Sequence, residues 1–125
     1  MIKIGITGQN GFIGTCLYNT LKLASSEFSC VDYDINYFSD NTQLDTFVAQ
    51  CDVIVHLAAV NRHDDPTVLY DTNIELVKKL IASLERCGSK SHILFSSSSQ
   101  EERDNPYGKS KKEGRILLEE WASIN

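Results

Sequence analysis

Gly5-Ile6-Thr7-Gly8-Gln9-Asn10-Gly11-Phe12-Ile13-Gly14 is the stretch that decides how this chain is read. It sets Gly8, Gly11 and Gly14 in a GxxGxxG spacing. A short apolar run (Ile2, Ile4, Ile6) leads into it, and an apolar helical pattern (Ile13, Leu17, Leu21) leads out. Strand, glycine turn and helix N-terminus in that order build a site for the phosphates of a dinucleotide. Glycine admits φ > 0 in the turn and lets the backbone come close to a pyrophosphate. The helix N-terminus adds free N–H groups and about half a positive charge. Without a ligand the same residues would be only a tight β–α turn; the strand before and the helix after favour a site.

Working outward, the first strand reads as residues 3–7, the first helix as 12–24 and a second strand as 28–33. Residues 35–41 connect onward, with room for a short strand at Tyr37 and Phe38. Asp40 or Asn41 caps a helix over 42–50 that turns Leu44, Phe47 and Val48 inward. Val53-Ile54-Val55-His56-Leu57 is a nearly continuous apolar run, as in a parallel strand buried on both faces. A long helix follows Pro66 and ends at Gly88, and residues 92–96 read as another buried strand. The last helix starts near Asn105-Pro106 and carries Ile116, Leu117, Trp121 and Ile124. This alternation predicts a Rossmann-type α/β fold, a doubly wound parallel sheet of about five strands in the order 3-2-1-4-5. No repeat, low-complexity tract or linker interrupts it, so residues 1–125 read as a single dinucleotide-binding domain.

Composition narrows the function classes. A net charge of −5 argues against nucleic acid and anionic membrane surfaces as partners. The one basic cluster, Lys109, Lys111, Lys112 and Arg115, shares its predicted helix with Glu113, Glu119 and Glu120, and reads as a mostly solvated face. No apolar run reaches the roughly 18 residues of a membrane span. Cys16, Cys30, Cys51 and Cys87 are far apart, and so are His56, His63 and His92, so no metal site is predicted. The cysteines read as reduced, mostly buried thiols of a cytoplasmic protein.

Cofactor choice is read at the end of the second strand. A carboxylate there bonds the adenosine ribose hydroxyls and repels a 2′-phosphate. Asp32 and Asp34 stand 18 and 20 residues beyond Gly14, and no Arg or Lys lies between Lys22 and Arg62. NAD(H) is therefore favoured over NADP(H). Either aspartate alone would also suit a plain polar strand end, and Asp52 reads as a strand-start or helix-end residue rather than a ligand.

A second motif follows at Tyr107-Gly108-Lys109-Ser110-Lys111, a Tyr-x-x-x-Lys that places Tyr107 and Lys111 on one helix face. Free tyrosine titrates near pH 10, too high for proton exchange at neutral pH. An ammonium about 4 Å away, at an effective dielectric of about 20, is worth roughly 4 kcal/mol. That is enough to lower the phenol pKa by up to about 3, against the opposing cost of desolvation. Tyr107 then comes near the range useful for general acid–base work. The pattern alone is common; a helix-start tyrosine beside a solvated lysine would look the same.

Taken with the Ser-rich strand end, these motifs resemble the extended short-chain dehydrogenase/reductase superfamily, the NAD-dependent epimerases and dehydratases. More narrowly, the chain resembles the N-terminal domain of the CapF-type capsular polysaccharide reductases. The resemblance rests on residues 5–14, Val-Ile-Val-His-Leu-Ala-Ala-Val-Asn-Arg at 53–62, Asn73, Ser-Ser-Ser-Ser-Gln at 96–100 and Asp-Asn-Pro-Tyr-Gly-Lys-Ser-Lys at 104–111. It implies that Gly8, Gly11, Phe12, Ile13 and Gly14 hold the pyrophosphate, and Asp32 the ribose. It implies that Leu57, Ala58 and Ala59 lie beneath the cofactor. Tyr107 would exchange the proton, Lys111 would bind the nicotinamide ribose and tune Tyr107, and Ser98 would orient the substrate oxygen. The implied protein is a nucleotide-sugar reductase or epimerase, and the implied reaction is hydride transfer at C4 of a UDP-linked 4-keto-6-deoxy sugar, for polysaccharide precursors.

Several features depart from the pattern. Only nine positions separate Ser98 from Tyr107, a spacing that suits the CapF-like branch but weakens Ser98 as the third catalytic residue. That branch is generally linked to NADPH, against the reading of Asp32. Asn61 and Arg62 match the branch; Arg62 would suit a substrate phosphate, but a plain surface loop is the favoured reading. The superfamily also needs further strands and a C-terminal substrate domain, and the branch carries a C-terminal cupin domain. The expectation is the N-terminal part of a longer architecture, poorly active alone and able to self-associate through an open sheet edge. The alternative function is a non-catalytic dinucleotide-binding sensor or docking module, which would need the glycine turn but not Tyr107 with Lys111.

Overall fold

Four strands pair in parallel: β1 (Ile2–Thr7), β2 (Phe28–Val31), β3 (Val53–His56) and β4 (His92–Phe95), in the order β2-β1-β3-β4. Four helices connect and follow them: α1 (Phe12–Lys22), α2 (Asn41–Ala49), α3 (Pro66–Cys87) and α4 (Pro106–Ile124). The computed structural model describes residues 1–60 and 62–125. Asn61, one of the two loop residues singled out after β3, lies outside the described residues. Arg62 is exposed and outside regular structure.

The parallel Rossmann-type sheet is the expected one, with four strands rather than five. Tyr37 and Phe38 belong to a 3-10 helix, Ile35–Ser39, instead of a short strand. The cause is local: Asp34 Oδ1 accepts from Asn36 N at 2.8 Å, and Tyr37 N donates to Asp34 O at 3.0 Å. Asp34 is thereby engaged as a cap. β2 ends at Val31, before Tyr33, and α1 ends at Lys22, before Ala24. Asp40 is the cap of α2, Gly88 stops α3 with φ +58°, and Asn105 caps α4 with Pro106 beside it, as the sequence predicts.

Register explains which strands are buried. Ile4 pairs with Val53 and Ile6 with Val55; Val53 and Val55 pair in turn with His92 and Leu94. These residues share one face, and it opens to solvent along β4, where Leu94 is 49% exposed. On the opposite face Ile54 and His56 are buried. The strand at 92–96 is thus a half-exposed edge, not a strand buried on both sides. α2 lies close under β1: a Cβ on Gly5 would stand 2.4 Å from Cys51 Sγ and 2.6 Å from the Phe47 ring. Of the cysteines, all of them free, only Cys51 is buried; Cys16 is exposed.

The chain forms two compact units. Met1–Ala58 with Ala82–Ser96 holds the sheet, α1, α2 and the end of α3. There Asp45 of α2 accepts from Ser83 Oγ at 2.6 Å and pairs with Arg86 at 2.8 Å. Ala59–Ile81 with Ser97–Asn125 holds most of α3, a 3-10 turn at Ser99–Glu102 and α4.

Candidate functional site

In the first unit, β1 runs into the glycine turn and the turn into α1. Gly8 has φ +75°, the left-handed region that favours glycine. A Cβ on Gly8 would lie 2.9 Å from Ala58 N, and one on Gly14 would lie 2.2 Å from Gly8 O. Both contacts are with backbone, so neither can give way cheaply. Gly11 caps α1 without any side-chain hydrogen bond, and its own N–H donates to Gly8 O at 3.0 Å. The N–H groups of Phe12, Ile13 and Gly14 therefore stand at a helix N-terminus with no side-chain acceptor. Phe12 and Ile13 are exposed beside them. This turn, close against the Leu57–Ala58 strand end, fits a pyrophosphate. Two nearby buried atoms, Gln9 Oε1 and Tyr33 Oη, have no partner among the described residues. Burial raises the Tyr33 pKa, and the Gly8 backbone beside it pulls the other way.

Thr7 does what the sequence reading missed. Its side chain is wholly buried, and its Oγ1 accepts from Leu57 N at 3.1 Å and from Ala58 N at 3.2 Å. With both acceptor positions used, its one proton goes to His56 Nδ1, 2.7 Å away. His56 stacks on Phe95, with centroids 5.9 Å apart. One hydroxyl thus ties the end of β1 to the β3 end on which Gly8 rests. The only sequence signal was a threonine inside the glycine motif.

Asp32 is exposed immediately past β2 and lines a cleft of about 300 Å³ with Tyr37, Thr42, Gln43, Thr46, Phe47 and Gln50. Asp34 is engaged in its cap, which leaves Asp32 as the carboxylate available to a ribose. Asp52 Oδ2 accepts from Lys3 N at 2.8 Å, immediately before β3, the first of the two structural roles expected for it. Folding also returns a cation to this side. Lys22 lies over the Tyr18 ring at 5.1 Å, and its pKa is raised chiefly by Tyr18, with smaller pulls from Cys30 and Asp32.

In the second unit, Tyr107 is half-buried in the first turn of α4, with Lys111 Nζ over its ring, 5.8 Å from the centroid. Lys111 is 4% exposed, so it leaves the solvated face predicted for the basic cluster. Burial lowers its pKa. Ser110, the next residue, donates to Tyr107 O at 2.8 Å and accepts from Asn73 Nδ2 at 3.2 Å. Asn73 also clasps one backbone unit, its Oδ1 accepting from Val60 N at 2.7 Å and its Nδ2 donating to Val60 O at 2.9 Å. Asn73 therefore joins α3, α4 and the loop running on from Ala59. Ser98 caps the 3-10 turn, its Oγ accepting from Gln100 N at 3.1 Å, which leaves its proton to donate elsewhere. Gly8, Gly11, Phe12, Ile13, Gly14, Asp32, Leu57 and Ala58 thus belong to the first unit, and Ala59, Ser98, Tyr107 and Lys111 to the second.

Among the described residues, no cluster of His, Cys, Asp or Glu is suited to a metal, and no helix is long and apolar enough to cross a membrane. The chain is 32% identical to an N-acetyl-alpha-D-glucosaminyl-diphospho-ditrans,octacis-undecaprenol 4-epimerase of Escherichia coli O157:H7, over 93% of this chain and 42% of the relative. It is 33% identical to a UDP-2-acetamido-2,6-beta-L-arabino-hexul-4-ose reductase of Pseudomonas aeruginosa, over 89% of this chain and 29% of the relative. It therefore spans less than half the length of either curated relative. Among solved structures, it superposes on the capsular polysaccharide assembling protein CapF of Staphylococcus aureus with a TM-score of 0.72 and 31% identity, covering 98% of this chain and 31% of that one. RMD of Pseudomonas aeruginosa, solved with NADPH, shares the fold at a TM-score of 0.85 and 20% identity, covering 99% of this chain and 49% of that one. Residues 4–123 match the NAD dependent epimerase/dehydratase family, and the chain belongs to that family.

Proposed function

We propose that residues 1–125 act as one dinucleotide-binding domain, the cofactor-binding part of a cytoplasmic nucleotide-sugar reductase or epimerase. The reaction is hydride transfer at C4 of a UDP-linked 4-keto-6-deoxy sugar on the way to a surface polysaccharide. The observation that carries this reading is the glycine turn, where no Cβ fits at Gly8 or Gly14 and helix N–H groups stand free of side-chain caps.

The bound nicotinamide supplies the hydride. The N–H groups of Phe12, Ile13 and Gly14 hold the pyrophosphate, and Asp32 holds the adenosine ribose, which favours NAD(H) over NADP(H). As the ketone oxygen gains charge, Tyr107 donates its phenolic proton to it, with the Ser98 hydroxyl as a second donor. Lys111 holds the nicotinamide ribose and favours the phenolate left on Tyr107.

Calorimetric titration of the chain with NADH and with NADPH tests the first half of this reading. Heat with NADH and a weaker NADPH response are expected; a preference for NADPH overturns the role given to Asp32, and no heat with either overturns the site. Tyr107→Phe, made in the whole reductase of which residues 1–125 are the proposed cofactor-binding part, tests the second half, with reduction of the UDP-linked 4-keto-6-deoxy sugar as the assay. Turnover is expected to fall by about 100-fold or more, with cofactor affinity unchanged. Undiminished turnover removes Tyr107 from the mechanism. If that whole protein binds cofactor and reduces nothing, it is a sensor or docking module.

A further inference from the structure

Tyr107, Lys111 and Arg115 stand at i, i+4 and i+8 on α4, so one stripe of the helix carries all three. Arg115 ends that stripe in a grip on Glu101. Its Nε lies 3.0 Å from Glu101 Oε1 and 3.1 Å from Oε2, and its Nη1 lies 3.0 Å from Glu119 Oε1. The Glu101 side chain is only 14% exposed, and it also accepts from Ser97 Oγ. Glu101 sits in the single 3-10 turn Ser99–Glu102, whose N-cap is Ser98. The same turn meets α4 at a second point: a Cβ on Gly108 would stand 1.9 Å from Gln100 O.

An isolated 3-10 turn has little stability of its own. This one is held to α4 at two places, by backbone contact at Gly108 and by charge at Arg115. Ser98 lies at its head, so whatever sets the turn against α4 also sets the serine hydroxyl against the Tyr107–Lys111 stripe. We propose that Glu101 and Arg115 are positioning residues, whose ion pair fixes where Ser98 Oγ stands relative to Tyr107 and Lys111. This rests on the reading that those three residues serve ketone reduction. A pair that only fastened two elements together would add a small, salt-sensitive stability and nothing more.

The test uses the whole reductase of which residues 1–125 are the proposed cofactor-binding part, with the UDP-linked 4-keto-6-deoxy sugar and NADH, comparing this parent with Arg115→Ala, Arg115→Lys and Glu101→Gln. A misplaced catalytic group costs roughly 10- to 100-fold in rate, so kcat is expected to fall by about that much in Arg115→Ala and Glu101→Gln. The KM for NADH and the denaturation midpoint should hold, and amide exchange at Gln100, which donates to Ser98, should quicken. Arg115→Lys keeps the charge and should recover part of the rate. A kcat equal to the parent's overturns the proposal, and so does a loss matched by equal losses in NADH affinity and stability. If Arg115→Ala does not fold, Glu101→Gln, close to isosteric, decides on the same readouts. A parent that binds NADH and reduces nothing takes down the catalytic reading and this proposal together. A parent that turns over alongside an unaltered Arg115→Ala takes down this proposal alone.

Discussion

The glycine turn of the first unit shapes its site with backbone alone, whereas the Tyr107 face of the second unit is side chains held by other side chains. At the turn the important atoms are main-chain N–H groups, and Gly8 and Gly14 serve by having no Cβ. On α4 the proposed chemistry falls to the phenol and the ammonium, and Asn73, Ser110, Glu101 and Arg115 hold bonds around them. A phosphate needs many weakly directed donors, which a helix start supplies without evolving a side chain. A proton transfer needs one group at one place, and a single side chain needs support to stay there. The two regions should therefore fail in different ways when changed.

The largest contrast pairs two glycines. Gly14→Ala drives a Cβ to 2.2 Å from Gly8 O, and Gly108→Ala drives one to 1.9 Å from Gln100 O. Each forces backbone to move and should cost about 3 kcal/mol or more in urea denaturation, at the top of the overpacking range. Their functional results should separate. Gly14→Ala should abolish NADH binding by calorimetry, while Gly108→Ala should keep it and lose turnover. Loss of NADH binding in both would erase the distinction.

A smaller contrast lies in the buried polar supports. Thr7→Val leaves Ala58 N and His56 Nδ1 without their hydroxyl, and each orphaned group costs about 1–3 kcal/mol. The change should also weaken NADH binding, because it loosens the strand end beneath Gly8. Asn73→Ala frees Val60 N and Val60 O and should cost a similar amount, but it should lower turnover more than cofactor affinity. Equal effects of both variants on NADH affinity would show that the supports are not specific to their own unit.

The smallest effect is a pair of opposite slopes in alkaline solution. Burial pushes the Cys51 thiol from its ordinary 9.0 up to about 12, so above pH 9 the unfolded chain releases a proton that the folded chain keeps. Stability should then fall as pH rises, by about 1 kcal/mol between pH 9 and 10. Lys111 works the other way. Burial lowers its pKa below the ordinary 10.5, so the unfolded chain holds a proton that the folded chain has lost. That contribution grows with pH through the folded pKa and levels off near 10.5. In urea midpoints taken across the alkaline range, Cys51→Ala should flatten the decline and Lys111→Met should steepen it. A steeper decline in Cys51→Ala would refute the assignment.

Much of the fold was legible because its signals are local. The GxxGxxG turn, the Asp40 and Asn105 caps and the Gly88 stop each depend on residues within a few positions of one another. The strand expected at Tyr37 and Phe38 failed on an equally local contest, in which Asp34 capped a 3-10 turn and kept those residues from pairing. The strand at 92–96 misled because an apolar run shows that some burial occurs, but not how many neighbours the strand has. Lys111 was read twice, as part of a solvated cluster and as a site residue, and folding chose the buried setting.

By itself the sequence determined the order of strands and helices, the parallel sheet and the glycine turn. Each follows from periodicity, caps and residues without a Cβ, which act over one or two turns of chain. The tertiary structure alone decided that Thr7 would meet His56 across 49 positions and that Arg115 would reach Glu101. Those outcomes depend on register and on helices meeting at fixed heights, and no local pattern of residue types carries that information.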